Sequence, residues 1–306
     1  MPLLYSLDMT RPGNTVAVIG LGVMGAPMAA NLIDAGYDVV GFNRSPGKVE
    51  THVARGGRGA SSIAEAVEGA DVVLTVLPDT PDVDLVVTGE DGVFAHAKPG
   101  ALWIDSSTIS PDASVRLASI GRDNGIRALD APVSGGEVGA INGTLSVMVG
   151  GDAADFEAVK PVLSAVGSTI VHVGPSGAGQ VVKAANQLLV AGTLELVAEA
   201  LVFLDAQGVD AEAAIKVLSG GLAGSRILDL KAASMVARRY EPGFRVDLHH
   251  KDLGIVTAAA REAGVAIPLG AMAAQLMGAL RAQGDGALDH SALHMLVETL
   301  SGRLPR

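Results

Sequence analysis

The sequence predicts two unlike halves: an α/β domain on a doubly wound, mostly parallel sheet, then an all-α domain. Three observations carry that prediction. Short β-rich apolar runs alternate with helical patterns as far as Gly174, and several are apolar throughout, as strands covered on both faces are. A glycine-rich hexad, Gly20-Leu21-Gly22-Val23-Met24-Gly25, joins the first strand to the first helix. After Gly174 no strand-like alternation appears, and helical periodicity runs on to the end.

The elements follow in order. Met1–Gly13 reads as an extension ahead of the first domain. Thr15–Gly20 reads as a buried strand, and Gly25–Ala35 carries apolar residues at helical spacing, closed by Gly36. Further strands are expected at Asp38–Phe42, Asp71–Leu77, Ala101–Asp105, Ala128–Pro132, Leu145–Gly150 and Thr169–Val173. Residues 14–174 therefore form a Rossmann-like domain. Gly177–Gln207 is one helical pattern, about 45 Å long at about 1.5 Å per residue. Breakers at Gly208, Gly220-Gly221, Pro242-Gly243, Gly264 and Gly284–Gly286 divide the rest, so residues 175–306 form the helical domain.

Composition narrows the function. At 306 residues and 49% hydrophobic, the chain can bury two cores. It has no Cys, which removes disulfides, thiolate metal sites and catalytic thiols, and fits a reducing compartment. A net charge of -11 argues against a nucleic-acid partner. Met1–Asn14 lacks the apolar run of a secretory signal. The longest apolar stretch, Leu188–Leu204, contains Glu195 and Glu199 and is expected to fall short of a membrane span. A cytoplasmic protein with no membrane partner is the expectation.

The hexad is a phosphate-binding turn in its spacing. Gly20 allows the tight turn, Gly22 lets backbone approach a pyrophosphate, and Gly25 permits close helix–strand packing. The helix N-terminus adds amides and partial positive charge. A glycine-rich turn without a ligand is the bland alternative. The second strand ends at Phe42-Asn43-Arg44-Ser45, where an NAD site usually places a carboxylate. None stands here. Arg44 and Ser45, with Lys48 nearby, suit a 2′-phosphate, so NADP is expected ahead of NAD. Stacking of Arg44 on adenine is the other reading.

Several separated motifs, in order, resemble the β-hydroxyacid dehydrogenase family over nearly the whole chain, from Thr15 to about Val297. Ile19–Met28 (IGLGVMGAPM) is similar to its cofactor signature, and Asp130–Gly136 (DAPVSGG) to its substrate signature. Gly177–Lys183 (GAGQVVK) is similar to the segment with the catalytic lysine, and Lys251-Asp252-Leu253 to the segment whose lysine reaches the nicotinamide. Gly220–Ser225, Pro242–Leu248 and Asp289–Leu293 most resemble the tartronate semialdehyde reductase branch.

The resemblance implies NAD(P)-dependent reduction of tartronate semialdehyde to D-glycerate. The alternative within the family is 3-hydroxyisobutyrate or another small hydroxyacid or semialdehyde. The alternative of another class is a non-catalytic NADP-binding interaction protein. Lys183 is then the proton donor, polarising the carbonyl and stabilising developing negative charge. Many members carry Asn four residues after the lysine. This chain has Asn186 at three and Gln187 at four, both on the lysine's side of a helix and both candidate substrate ligands.

Ser134-Gly135-Gly136 follows a strand end, where backbone amides and the Ser134 hydroxyl suit a substrate carboxylate. Leu77-Pro78 and Thr108 follow other strand ends, where the crevice of an open α/β sheet lies, and are carried over as cofactor contacts with Lys251. His249-His250 beside Asp252 invites a metal, but adjacent residues point apart and none is expected. Trp103 reads as core. The long apolar helix needs covering, which predicts a homodimer or homotetramer joined through the helical domain.

Overall fold

A computed structural model describes residues 14–303, so the expected extension, residues 1–13, lies outside the described residues. The chain divides into two compact units after Lys183.

The first unit alternates strands and helices as expected. It begins β1 (Thr15–Ile19), α1 (Gly25–Asp34), β2 (Asp38–Phe42), α2 (Pro46–Ala54), β3 (Arg58–Gly59), α3 (Ile63–Val67) and β4 (Val72–Thr75). It continues α4 (Thr80–Thr88), α5 (Val93–His96), β5 (Leu102–Asp105), α6 (Pro111–Asp123), β6 (Arg127–Asp130), β7 (Val133–Ser134) and α7 (Gly136–Ile141). It closes with β8 (Leu145–Gly151), α8 (Ala153–Val166) and β9 (Gly167–Gly174).

The strands form one sheet, ordered β3-β2-β1-β4-β5-β6-β8-β7, with β9 also paired to β8. Pairing is parallel from β3 across to β6 and antiparallel where β8 meets β6 and β7. The order reverses between β1 and β4, which is where an open α/β sheet leaves a crevice beyond its strand ends. Successive side chains of β1 enter opposite cores. Val16 and Val18 pack with Met28 and Leu32 on one face, and Ala17 and Ile19 with Val83 and Trp103 on the other. That double burial is why these strands read as continuous apolar runs. Trp103 is core as expected, with its Nε1 donating to Thr75 Oγ1 at 3.0 Å. Sequence reading missed β3 and β7, because two residues present no alternation to detect.

The long helix appears as expected: α9 spans Ala178–Ala206. After it come α10 (Ala211–Ser219), α11 (Arg226–Val236), α12 (Val246–Glu262), α13 (Pro268–Ala282) and, past a short 3-10 turn, α14 (Leu293–Leu300). The core of the second unit joins Leu194, Ala198 and Leu201 of α9 to Leu253, Met277 and Leu280. Glu195 and Glu199 do not keep α9 below membrane-spanning length and apolarity, which corrects the expectation. Its inner face is nevertheless core, and Glu195 is buried there with its pKa pushed up to about 7, by burial first and then by Glu199. Leu189, Leu196 and Phe203 recur at seven-residue spacing and stand exposed.

The segments Pro242–Leu248 and Asp289–Leu293 meet in a buried knot. Asp289 accepts from Lys231 Nζ at 2.8 Å and from the Gly243 and Phe244 amides at 2.9 and 3.0 Å. His249 Nδ1 and His290 Nδ1 share a hydrogen bond of 3.0 Å, and burial, reinforced by His249, holds His290 down to about 3. Among the described residues no three His, Cys, Asp or Glu side chains converge as metal ligands would.

Candidate active site

The glycine turn leaves β1 at the crevice end. Gly20 has a φ of +104°, a conformation L side chains rarely adopt. A Cβ on Gly25 would fall on the Gly20 carbonyl oxygen, so only glycine lets α1 start this close to β1. Gly22 is different: a Cβ there would meet nothing within 4 Å. It is exposed, as is Val23, and α1 starts with no side-chain cap from Met24. Open space over a glycine backbone, at an uncapped helix N-terminus, fits the pyrophosphate of a dinucleotide.

Asn43 braces this turn. Its Oδ1 accepts from the Leu21 amide at 3.1 Å, so β2 and the hexad are tied at the strand end. Arg44 and Ser45 stand exposed at the start of α2. On the far side of β1, the Leu77 amide donates to Ser107 Oγ at 2.9 Å, joining the loops after β4 and β5. Pro78 is exposed beside it and Thr108 is half-buried.

Beneath these loops lies a buried polar cluster. Asp105 Oδ1 accepts from Thr75 Oγ1 at 2.7 Å and from the Ser107 amide at 3.2 Å. Burial, opposed by those hydrogen bonds, pushes the Asp105 carboxyl up to about 6. Its register partner on β6 is Asp130, whose pKa is also raised by burial. Asp130 Oδ1 accepts from the Gly177 amide at 2.7 Å and Oδ2 from the Gln180 amide at 3.0 Å, which caps the start of α9.

Ser134 ends β7, and Gly135 and Gly136 follow with φ of +137° and +62°. Both conformations are ones that L side chains rarely adopt, so the turn after Ser134 requires its glycines. Lys183 is brought to the same place. Its Nζ donates to the carbonyl of Val133, the residue before Ser134, at 2.8 Å. Lys183 is only 7% exposed although Val181 and Val182 are 55% and 37% exposed. The apolar run around the lysine is therefore helix surface, and it is the lysine that points inward.

In the second unit the expected amides are engaged. Asn186 Nδ2 donates to Gln187 Oε1 at 2.7 Å, and Gln187 Nε2 donates to Asp252 Oδ2 at 2.6 Å. Lys251 Nζ lies 2.7 Å from Asp252 Oδ1. Gln187 thus holds Asn186 at one end of its amide and Asp252 at the other. Sequence reading singled out neither Gln180 nor Asp252 as a site residue. The signal for Gln180 was its place one helical turn before Lys183, and for Asp252 its place beside Lys251.

Two family models match. Residues 15–174 match the NAD-binding domain of 6-phosphogluconate dehydrogenase, and residues 177–297 match the NAD-binding domain of NADP-dependent 3-hydroxyisobutyrate dehydrogenase. The chain is a β-hydroxyacid dehydrogenase family member. It is 40% identical to the 2-hydroxy-3-oxopropionate reductase of Escherichia coli K12 over 283 residues, covering 92% of this chain and 97% of that one. It is 39% identical to a 3-hydroxyisobutyrate dehydrogenase of Pseudomonas aeruginosa, covering 92% and 97%. The solved structure of Mycobacterium tuberculosis 3-hydroxyisobutyrate dehydrogenase with L-serine superposes with a TM-score of 0.86 at 37% identity, covering 93% and 99%. The chain is accordingly an NAD(P)-dependent oxidoreductase acting on hydroxyl groups. That removes the non-catalytic interaction protein from the alternatives.

Proposed function

We propose that this dehydrogenase reduces tartronate semialdehyde (2-hydroxy-3-oxopropanoate) to D-glycerate, reversibly, with NADP preferred to NAD. The observation that carries the reading is the buried Lys183, whose Nζ donates to Val133 O immediately before Ser134. The Gly20–Gly25 turn, Asn43, Arg44 and Ser45, Leu77-Pro78 and Thr108 hold the dinucleotide, and Lys251 attends its nicotinamide end. Reduced nicotinamide supplies the hydride when bound.

The chain's own residues do the rest. Ser134, Gly135 and Gly136 hold the substrate carboxylate. Lys183 polarises the aldehyde, and as the carbon gains the hydride, Nζ gives its proton to the oxygen, leaving a hydroxyl and a neutral amine. Asn186, braced by Gln187, orients the substrate. Residues 14–174 serve as the cofactor domain and residues 175–306 as the substrate and assembly domain. The acidic chain works in the cytoplasm without nucleic acid or membrane, and copies pair across the Leu189-Leu196-Phe203 stripe of α9 as a homodimer or homotetramer.

The substrate choice is supported by similarity to the Escherichia coli reductase. A second reading, 3-hydroxyisobutyrate or a related small hydroxyacid, is favoured by the Pseudomonas aeruginosa relative. A steady-state panel of semialdehydes, run with NADPH and NADH, and of hydroxyacids, run with NADP+ and NAD+, separates them. Tartronate semialdehyde with NADPH is expected to give the highest kcat/KM. Far better turnover of 3-hydroxyisobutyrate sinks the substrate, a clear NADH preference sinks the cofactor choice, and a monomer by light scattering of the same preparation sinks the assembly.

A further inference from the structure

Gln180 is buried, 1% exposed, and has no part in the chemistry above. We infer that Gln180 is a positioning residue, a side-chain clamp that sets Lys183 in register with the loop carrying Thr108. The inference rests on the reading of Lys183 as proton donor.

Gln180 Nε2 donates to Ser107 O at 2.8 Å, and its Oε1 accepts from the Ile109 amide at 3.2 Å. The two bonds flank Thr108. One planar amide makes both, so neither loop nor helix turns without breaking the pair. The rest of the loop is tied to the strand ends beside it, Ser106 N to Thr75 O and Leu77 N to Ser107 Oγ, whereas the Gln180 side chain ties it to α9.

The same helix face is fixed at three points a turn apart. Gly177 bonds Asp130, Gln180 bonds Asp130 and the 107–109 loop, and Lys183 bonds Val133 O. Sliding is blocked as well. A Cβ on Gly179 would fall on Met148 O, so the helix start lies directly against β8. Lys183 is thereby indexed both to the Ser134 turn and to the Thr108 loop. A misplacement of about 1 Å at a reacting group costs up to about 100-fold in rate, so loss of the clamp reads out in turnover.

The test uses Gln180→Met and Gln180→Glu in the full chain. Four quantities are measured: kcat, aldehyde KM, NADPH dissociation by fluorescence, and hydrogen exchange of residues 106–110. Gln180→Met is expected to lower kcat about 10- to 100-fold with aldehyde KM within about threefold, and to speed exchange at Ile109. Gln180→Glu keeps the acceptor for Ile109, but its ionised carboxylate repels Ser107 O. Its kcat, relative to wild type, is expected to rise as pH falls and the introduced carboxyl regains a donor. A kcat for Gln180→Met within about twofold of wild type overturns the proposal, even with faster exchange. If that variant does not fold, a pH profile of Gln180→Glu parallel to wild type overturns it. A wild-type enzyme inactive on the whole panel sinks the Lys183 reading alone. Unchanged exchange and NADPH binding in both variants then sinks the clamp.

Discussion

The glycine turn after β1 and the first turns of α9 both carry residues of the proposed site, yet they are built in opposite ways. The turn's need for glycine is set mostly within the hexad, although Asn43 braces it from the end of β2. Gly20 needs its +104° φ, and the space for a Cβ on Gly25 is filled by the carbonyl of Gly20, five residues back. The start of α9 owes its place to distant groups. Asp130 reaches Gly177 and Gln180 across 47 and 50 residues, and Val133 reaches Lys183 across 50. A motif of the first kind is legible as a string of letters. One of the second kind is legible as a segment, Gly177–Lys183, but not in the contacts that place it.

The comparison breaks most visibly at Lys183. Lys183→Ala is expected to lower kcat by about 100- to 10,000-fold while leaving NADPH binding nearly unchanged, because the glycine turn does not depend on it. Turnover within about tenfold of wild type would take the lysine out of the mechanism. In the turn itself, Gly25→Ala is expected to destabilise by about 3 kcal/mol or more, since backbone must move to admit the methyl. Gly22→Ala meets open space and is expected to leave stability within about 0.5 kcal/mol while weakening dinucleotide binding. Denaturant melts and NADPH titration check the pair. Equal stability losses at the two glycines would remove the distinction between packing and ligand approach.

Asp105 sharpens the same contrast at smaller scale. Its carboxyl is held at about 6 in the fold, above the value of an unfolded aspartate. Between about pH 4 and pH 6 the folded state keeps a proton that the unfolded state releases, so stability falls as pH rises through that window. Asp105→Asn removes the buried charge and retains an acceptor for Thr75 Oγ1. It is expected to be about 3 kcal/mol more stable than wild type near pH 8 and about equal to it near pH 4. Urea melts at the two pH values check this, and a loss of stability near pH 8 would mean that the ionised carboxylate has a stabilising role in the buried cluster.

The stripe of α9 and the lysine face of α9 show where pattern reading stops. Apart from Glu195 and Glu199, Leu188–Leu204 reads as one apolar stretch, but the fold sorts it into a buried face with Ala191, Leu194, Ala198 and Leu201 and an exposed one with Leu189, Leu196 and Phe203. Around Lys183 the same sorting turns the valines out and the lysine in. Hydropathy assigns each residue a preference, whereas facing depends on what packs against the helix.

The sequence by itself determined the alternation of strands and helices, the change to helices alone after Gly174, the glycine hexad, the missing carboxylate after β2 and the lysine segment. Each is a local matter: period, turn conformation or residue type within about 20 positions. Only the tertiary structure decided that Lys183 is buried against Val133 O, that Asn43 braces Leu21, and that Gln180 grips both sides of Thr108 from 73 and 71 residues away. Hydrogen bonds of that span follow from which strand ends the sheet order brings to one side, and nothing in the spacing of letters along the chain records it.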